Sequence, residues 1–253
     1  GEMTAIPTRS NPRTYLSVSD IEKIFTRFPE GTSSYIPLMV GYHCGMRLSE
    51  TFALTWEHID FGHRTIRIER QIQWHQNDRS KEEKEKHNGK SQPGAGYWYF
   101  SSPKYNSVRT IDMDEALAVA LEREYARQLR AEEYFGERYI RYYENVNHVI
   151  VKTPNENRIM FVCVRENGEY YNSRNMQYTS QIIHQQLNIP GFDYHSLRHT
   201  HATMLLDAGA PLKYIQYRLG HKNIDITLNV YQHFTESSRI QGNERLNGMF
   251  LDT

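Results

Sequence analysis

The sequence predicts an α+β fold, mainly helical, with a small antiparallel three-stranded sheet. Three observations predict it: capped amphipathic stretches at both ends of the chain, strict apolar alternation through TIRIERQIQW at 65–74, and two further strand-like segments at 97–100 and 108–113. At 253 residues and about 30 kDa the chain has the mass for one compact domain with a real core.

The elements follow in order. Residues 1–14, GEMTAIPTRSNPRT, are polar and proline-containing and read as a linker remnant, and Gly1 in place of methionine suggests a piece of a longer chain. Ser17 and Asp20 make a capping-box-like start, after which Val18, Ile21, Ile24, Phe25 and Phe28 share a helical face. A second helix runs from about Ser34 to Cys44 and stops at Gly45, and a third opens at Ser49, sending Phe52 and Leu54 toward the core. Arg47 falls at their junction.

In 65–74, Ile66, Ile68, Ile72 and Trp74 lie on one face of a half-buried strand. Residues 75–96, rich in Lys, Glu, Asn and Gly, lack an apolar period and read as a flexible hairpin insertion. Strands resume at 97–100 and 108–113 around a turn with Pro103, which puts Lys104 beside a β-turn. A helix is expected from Asp114 to about Tyr143, with Leu117, Leu121, Tyr125 and Leu129 four residues apart.

Ile159–Val164 reads as a short buried strand and 173–187 as a helix. Three short helices complete the pattern: 195–207 before Gly209, 211–219 with Pro211 at its start and Gly220 after it, and 224–234. The tail 236–253 is too polar to form a core alone.

With Lys+Arg 30 against Asp+Glu 30, the chain carries no overall basic field, so any nucleic-acid contact must come from local patches. Residues 61–110 hold ten Lys/Arg and five Asp/Glu, whereas 114–144 hold five and eight, which makes the first segment the better backbone-binding face. Cys44 and Cys163 sit in apolar surroundings without metal or CxxC spacing and read as buried free thiols, as in a reducing cytoplasm. No apolar run approaches the roughly 18 residues of a membrane span, and the N-terminus lacks the order of a signal peptide. The expectation is a soluble cytoplasmic protein.

Candidate chemistry clusters late in the chain. In HSLRHTH, His195 and Arg198 are three apart on one helical face and suit a common anion. His195 and His199 have the i,i+4 spacing of a zinc pair, but Ser196 stands where a zinc hydrolase places its glutamate, and no nearby carboxylate or thiol completes a shell. His199 and His201 read as structural. Ten residues past His221, in LGHKNIDITLNVYQH, stands Tyr231, one of 18 tyrosines; its company of phosphate-suited groups is what singles it out.

These segments together resemble the tyrosine recombinases, or phage integrases, above all the integrases of conjugative transposons, over about Leu16 to His233. GMRLSE is similar to the family's first arginine box and SSPKYNSVRTIDM to its β-hairpin lysine motif; HSLRH, LGHKN and TLNVYQH match its later boxes. Tyr105 stands where threonine often follows the lysine, and the His221 to Tyr231 interval is one residue longer than in many phage members, as in conjugative-transposon integrases.

The resemblance implies the DNA breaking-rejoining catalytic fold over 15–235 and a site of Arg47, Lys104, His195, Arg198, His221 and Tyr231. It implies that Tyr231 attacks a DNA phosphodiester to give a 3′-phosphotyrosine without ATP, metal or other cofactor. It further implies double-stranded DNA and other protomers of a synaptic tetramer as partners, with the C-terminal tail exchanged between them. Two other classes remain open on the residues: a recombinase-like protein that clamps DNA without cutting, and a metal-dependent nuclease.

Overall fold

The computed structural model describes residues 15–76 and 96–222. The first helix, α1 (Val18–Arg27), has the expected capping box: the Ser17 hydroxyl accepts from the Asp20 amide at 3.1 Å and donates to its carboxylate at 2.7 Å. Ile21, Ile24 and Phe28 are buried, whereas Val18, in the first turn, points to solvent. Helix α2 (Tyr35–Cys44) is apolar nearly all round and lies in the core, and Gly45 in the left-handed region ends it. Two residues later, Arg47, in extended backbone, becomes the N-cap of the short helix α3 (Leu48–Thr51).

The alternating segment 65–74 forms two strands instead of one. Strand β2 (Thr65–Ile68) joins β1 (Ile59–Asp60) and β5 (Arg109–Asp112) in the antiparallel three-stranded sheet of order β1-β2-β5. Among the described residues, strand β3 (Gln71–Gln76) pairs with β4 (Gly96–Ser101) alone, Trp74 opposite Trp98. The break falls at Glu69 and Arg70, which turn to other partners: Arg70 pairs with Glu57 at 2.6 Å and Glu144 at 2.9 Å, and Glu69 hydrogen-bonds His58 at 3.1 Å. The apolar residues of both strands, Ile66, Ile68, Ile72 and Trp74, keep the same parity, so alternation of residue type alone does not reveal the break. His75, Gln76 and Gly96, at the edges of the expected insertion, are strand residues; 77–95 lie outside the described residues.

Helix α4 (Glu115–Phe135), capped by the Asp114 carboxylate, ends at Phe135, eight residues before the expected Tyr143. The row Leu117, Leu121, Tyr125, Leu129 drifts about 40° per step around a helix of 3.6 residues per turn. Accordingly Leu117 and Leu121 are fully buried and Leu129 is exposed, while Glu124, Gln128 and Ala131 continue the inner face. Tyr142 and Tyr143 enter a second three-stranded sheet, β7-β6-β8, of β6 (Tyr142–Glu144), β7 (Ile150–Val151) and β8 (Arg158–Ile159). Of the expected strand 159–164 only Ile159 is in a strand; Phe161 to Val164 are buried, and of these Phe161 and Val164 make isolated bridges, to Thr55 and Tyr170.

Helix α5 (Ser173–Gln186) is capped by Asn172, and α6 (Tyr194–Asp207) by Asp193. Tyr194 ties α6 to the N-terminal half. Its hydroxyl donates to Pro37 O at 2.9 Å, which leaves the Thr51 hydroxyl, also at 2.9 Å, to donate to it. The last described helix, α7 (Leu212–Leu219), packs on α6 and β5 and ends at Gly220. The expected helix 224–234 and the tail 236–253 lie outside the described residues. Cys44 and Cys163 are buried free thiols, and burial pushes the Cys44 thiol up to about 12. Among the described residues no helix is long and apolar enough to cross a membrane.

Candidate active site

Every α-helix leaves its last carbonyls without intrahelical partners, and where those of α7 go defines the site. Gly220, at φ 65°, allows a Schellman turn: the His221 amide donates to Gln216 O at 3.0 Å and the Gly220 amide to Tyr217 O at 3.0 Å. The next three carbonyls are each taken by a different arginine. Arg109 Nε donates to Arg218 O at 2.9 Å, Arg198 Nη2 to Leu219 O at 2.6 Å and Arg47 Nη2 to Gly220 O at 2.5 Å. Guanidinium groups suit the negative end of a helix, and these three reach it from β5, α6 and the N-cap of α3.

One carboxylate faces the three. Glu50, with its side chain fully buried, accepts from Arg47 Nη1 at 2.7 Å and from Arg109 Nη1 at 3.1 Å on one oxygen. Its other oxygen accepts from the Arg47 amide at 3.0 Å and from Arg109 Nη2 at 2.8 Å. Burial acts to raise the Glu50 pKa, but the hydrogen bonds and charge of Arg109 and the charge of Arg47 outweigh it and hold it below the usual range. Arg198 is buried and donates its other amino group to Gly45 O at 2.7 Å. Burial first, then the charges of Arg47 and Arg109, bring its pKa down to about 9, which leaves it protonated at neutral pH. Three cations against one anion leave a net positive, poorly solvated centre suited to an anion.

The sequence-predicted residues divide around this centre. Arg47, Arg198 and His221 converge on the end of α7. His221 is half-buried, and burial, Arg198, Arg47 and the neighbouring histidines lower its pKa to about 3, so it is a neutral imidazole at physiological pH. His195 is exposed one turn before Arg198, its ring 4.6 Å from that of His199. Lys104 is exposed, in the turn Lys104–Asn106, where Tyr105 and Asn106 adopt positive φ. That turn meets the centre through Ser107, whose hydroxyl lies 3.5 Å from Arg47 Nη1, and through Tyr105, whose ring lies 5.6 Å from the Lys222 ammonium. Tyr231 lies outside the described residues. A cleft of about 440 Å³ beside the centre is lined by Tyr105, Ser107, Lys213, Tyr217, His221 and Lys222, among others.

Three buried residues here are not singled out by sequence reasoning: Glu50, Arg109 and Arg218. Glu50 lies three residues from Arg47 in GMRLSE, a spacing that permits the pair. Arg109 stands two residues before Ile111 and so shares the inward face of its strand, a parity that marks it as buried, although a charged residue there names no partner. Arg218 binds His43 O and Asp112 O, both at 3.0 Å, and His201 Nε2 at 3.0 Å. Since His201 Nε2 accepts, its Nδ1 donates to Tyr42 O at 2.9 Å, and His201 is structural as expected. Among the described residues no group of three or more His, Cys, Asp or Glu is placed to hold a metal ion.

A model of the phage integrase family matches residues 14–238. The chain belongs to this family. Among its curated relatives, a XerC-like tyrosine recombinase of Caldanaerobacter subterraneus subsp. tengcongensis is 28% identical over 214 residues, 84% of this chain and 49% of the relative. The transposase from transposon Tn916 of Enterococcus faecalis is 28% identical over 241 residues, 93% of this chain and 52% of the relative. The chain thus spans about half the length of the curated relatives it matches. In fold, it is similar to the Tn1549 transposon integrase in complex with a circular intermediate DNA, at TM-score 0.67 and 22% identity over 95% of this chain and 68% of that one. The XerA recombinase follows at TM-score 0.58 and 18% identity, over 96% and 66%. The fold is therefore that of a phage integrase catalytic domain, with small antiparallel sheets among helices.

Proposed function

We propose that the chain is the catalytic part of an enzyme of site-specific DNA recombination, which integrates or excises a mobile element through a 3′-phosphotyrosyl intermediate. The observation that carries this reading is the positive centre at the end of α7, where Arg47 and Arg198 each turn an amino group onto an oxygen acceptor beside neutral His221. A phosphate oxygen has the same acceptor chemistry as those carbonyls and adds the negative charge that the centre lacks.

In this reading the Tyr231 oxygen attacks the phosphorus and its proton passes to His195. The bond from phosphorus to the 5′ oxygen breaks, and Lys104 protonates the departing oxygen. Arg47 and Arg198 stabilise the charge that gathers on the non-bridging oxygens, and His221 donates a hydrogen bond to one of them. A second 5′-hydroxyl reverses the sequence, so the bond energy is retained and neither ATP nor a metal is called for. Double-stranded DNA is the substrate, and other protomers of a synaptic tetramer are the partners, with residues 236–253 exchanged between them. The place of action is the cytoplasm, where free thiols such as Cys44 and Cys163 persist. Relatives named as a recombinase and as transposases, and a structural neighbour bound to DNA, support the reading.

The test is incubation with nicked duplexes carrying candidate transposon ends in EDTA, followed by a denaturing gel. The expected result is a protein-DNA band that Tyr231→Phe abolishes. Cleavage that needs a divalent ion and leaves no adduct would make the chain a nuclease, and binding without cutting would make it a DNA clamp.

A further inference from the structure

We infer that Arg109 is a positioning residue for the reaction: through Glu50 and the end of α7, it holds the Arg47 guanidinium turned into the site. This inference rests on the proposed function. The Arg109 side chain is 2% exposed, so it is not presented to solvent or to a substrate in solution. Its donors are committed to Glu50 Oε1 and Oε2, Ser107 O and Arg218 O at 2.8–3.1 Å. One side chain thereby joins α3, the Lys104 turn and the C-terminus of α7, the three segments around the proposed phosphate position.

The consequence for Arg47 follows from lone-pair accounting. Each Glu50 oxygen accepts one bond from the Arg47 residue and one from Arg109. With Arg109 in place, Arg47 can spend only Nη1 on Glu50, and Nη2 stays turned to Gly220 O at the edge of the site. Without Arg109 the carboxylate is free to take the Arg47 guanidinium in a bidentate pair. Such a pair swings Nη2 out of the site and removes one positive charge from the centre. The close approach of Gly220, where a Cβ would lie 2.8 Å from Arg109 Nη1, keeps the α7 turn against the same guanidinium.

The experiment compares Arg109→Lys, Arg109→Met, Glu50→Gln and the double variant Arg109→Met with Glu50→Gln. Three quantities are read: the single-turnover rate of adduct formation on nicked DNA, DNA affinity, and the NMR signal of the Arg47 guanidinium. Arg109→Lys, which keeps the charge but not the fork, is expected to fold, to bind DNA within about twofold of the parent, and to react on the order of 100-fold more slowly, as a displacement of about 1 Å can cost. The double variant is expected to react no more slowly than the slower single variant, because both act through one path. Arg109→Lys at the parent rate, multiplicative losses in the double variant, or an Arg109→Lys protein that does not fold would each overturn the inference. If the parent forms no adduct, the functional reading fails, and the Arg47 signal still decides the positioning role: it must broaden or shift in Arg109→Lys, and an unchanged signal refutes that role.

Discussion

Gly220→Ala is the substitution whose cost the structure fixes most closely. At φ 65° a residue with a Cβ costs about 1–2 kcal/mol relative to glycine. The new methyl would also lie 2.8 Å from Arg109 Nη1, 3.0 Å from its Cζ and 3.0 Å from Ser107 Oγ. Arg109 is tied to Glu50, Ser107 O and Arg218 O, so relief requires lengthening a buried bond, at roughly another 1–3 kcal/mol. The total of about 2–5 kcal/mol corresponds to a fall in melting temperature of roughly 5–15 °C for a domain of this size. Gly31→Ala is the control, since Gly31 also has positive φ, at 91°, but nothing lies within 4 Å of its added Cβ. It should lose only the backbone share. Thermal unfolding followed by circular dichroism measures both variants, and melting temperatures within about 2 °C of each other would refute the tight packing of α7 on Arg109.

Arg198→Lys keeps a charge but cannot span Gly45 O and Leu219 O, so one buried carbonyl loses its partner; the urea midpoint should fall by the equivalent of about 1–3 kcal/mol with an unchanged m-value. His201 is held at about 4 by burial and by Arg218, and its neutral form belongs to the fold. Its contribution is therefore complete above its ordinary 6.5 and is lost as pH falls from 6.5 toward 4, at most ~3 kcal/mol; stability measured over pH 7 to 5 should slope less in His201→Gln. Lys104→Ala should slow adduct formation about 10²- to 10⁴-fold on ordinary DNA, and a sulfur in place of the 5′ leaving oxygen should restore most of the rate. Absence of that rescue contradicts the general-acid role.

Much of this was legible in local sequence because its causes are local. Ser17 and Asp20 are three residues apart, and Gly45 and Gly220 end helices where left-handed conformations are needed. Arg47, Arg198 and His221 come from boxes that the family resemblance assigns to one centre, and in the structure all three lie at the end of α7. What escaped is set by long-range partners. The break at Glu69 and Arg70 depends on Glu57, His58 and Glu144, and the role of Arg109, whose strand parity with Ile111 marks only its burial, depends on Glu50 and Arg218, up to 109 residues away. The overlong helix at 114–143 reflects an apolar row that continues past Gly136 into a sheet whose strands pair across 142–159. A period of four residues does not tell the inner face of a long helix from a slowly drifting one.

The central claim is that Tyr231 becomes covalently joined to DNA. Trypsin cuts after Lys222 and Arg239, and the peptide 223–239 contains Tyr231 as its single tyrosine. The measurement is mass spectrometry of the tryptic, nuclease-trimmed adduct formed with a nicked transposon end. The account predicts that this peptide carries the 3′-linked nucleotide on Tyr231. A nucleotide on any other residue, or DNA cleaved with no modified peptide, would contradict it.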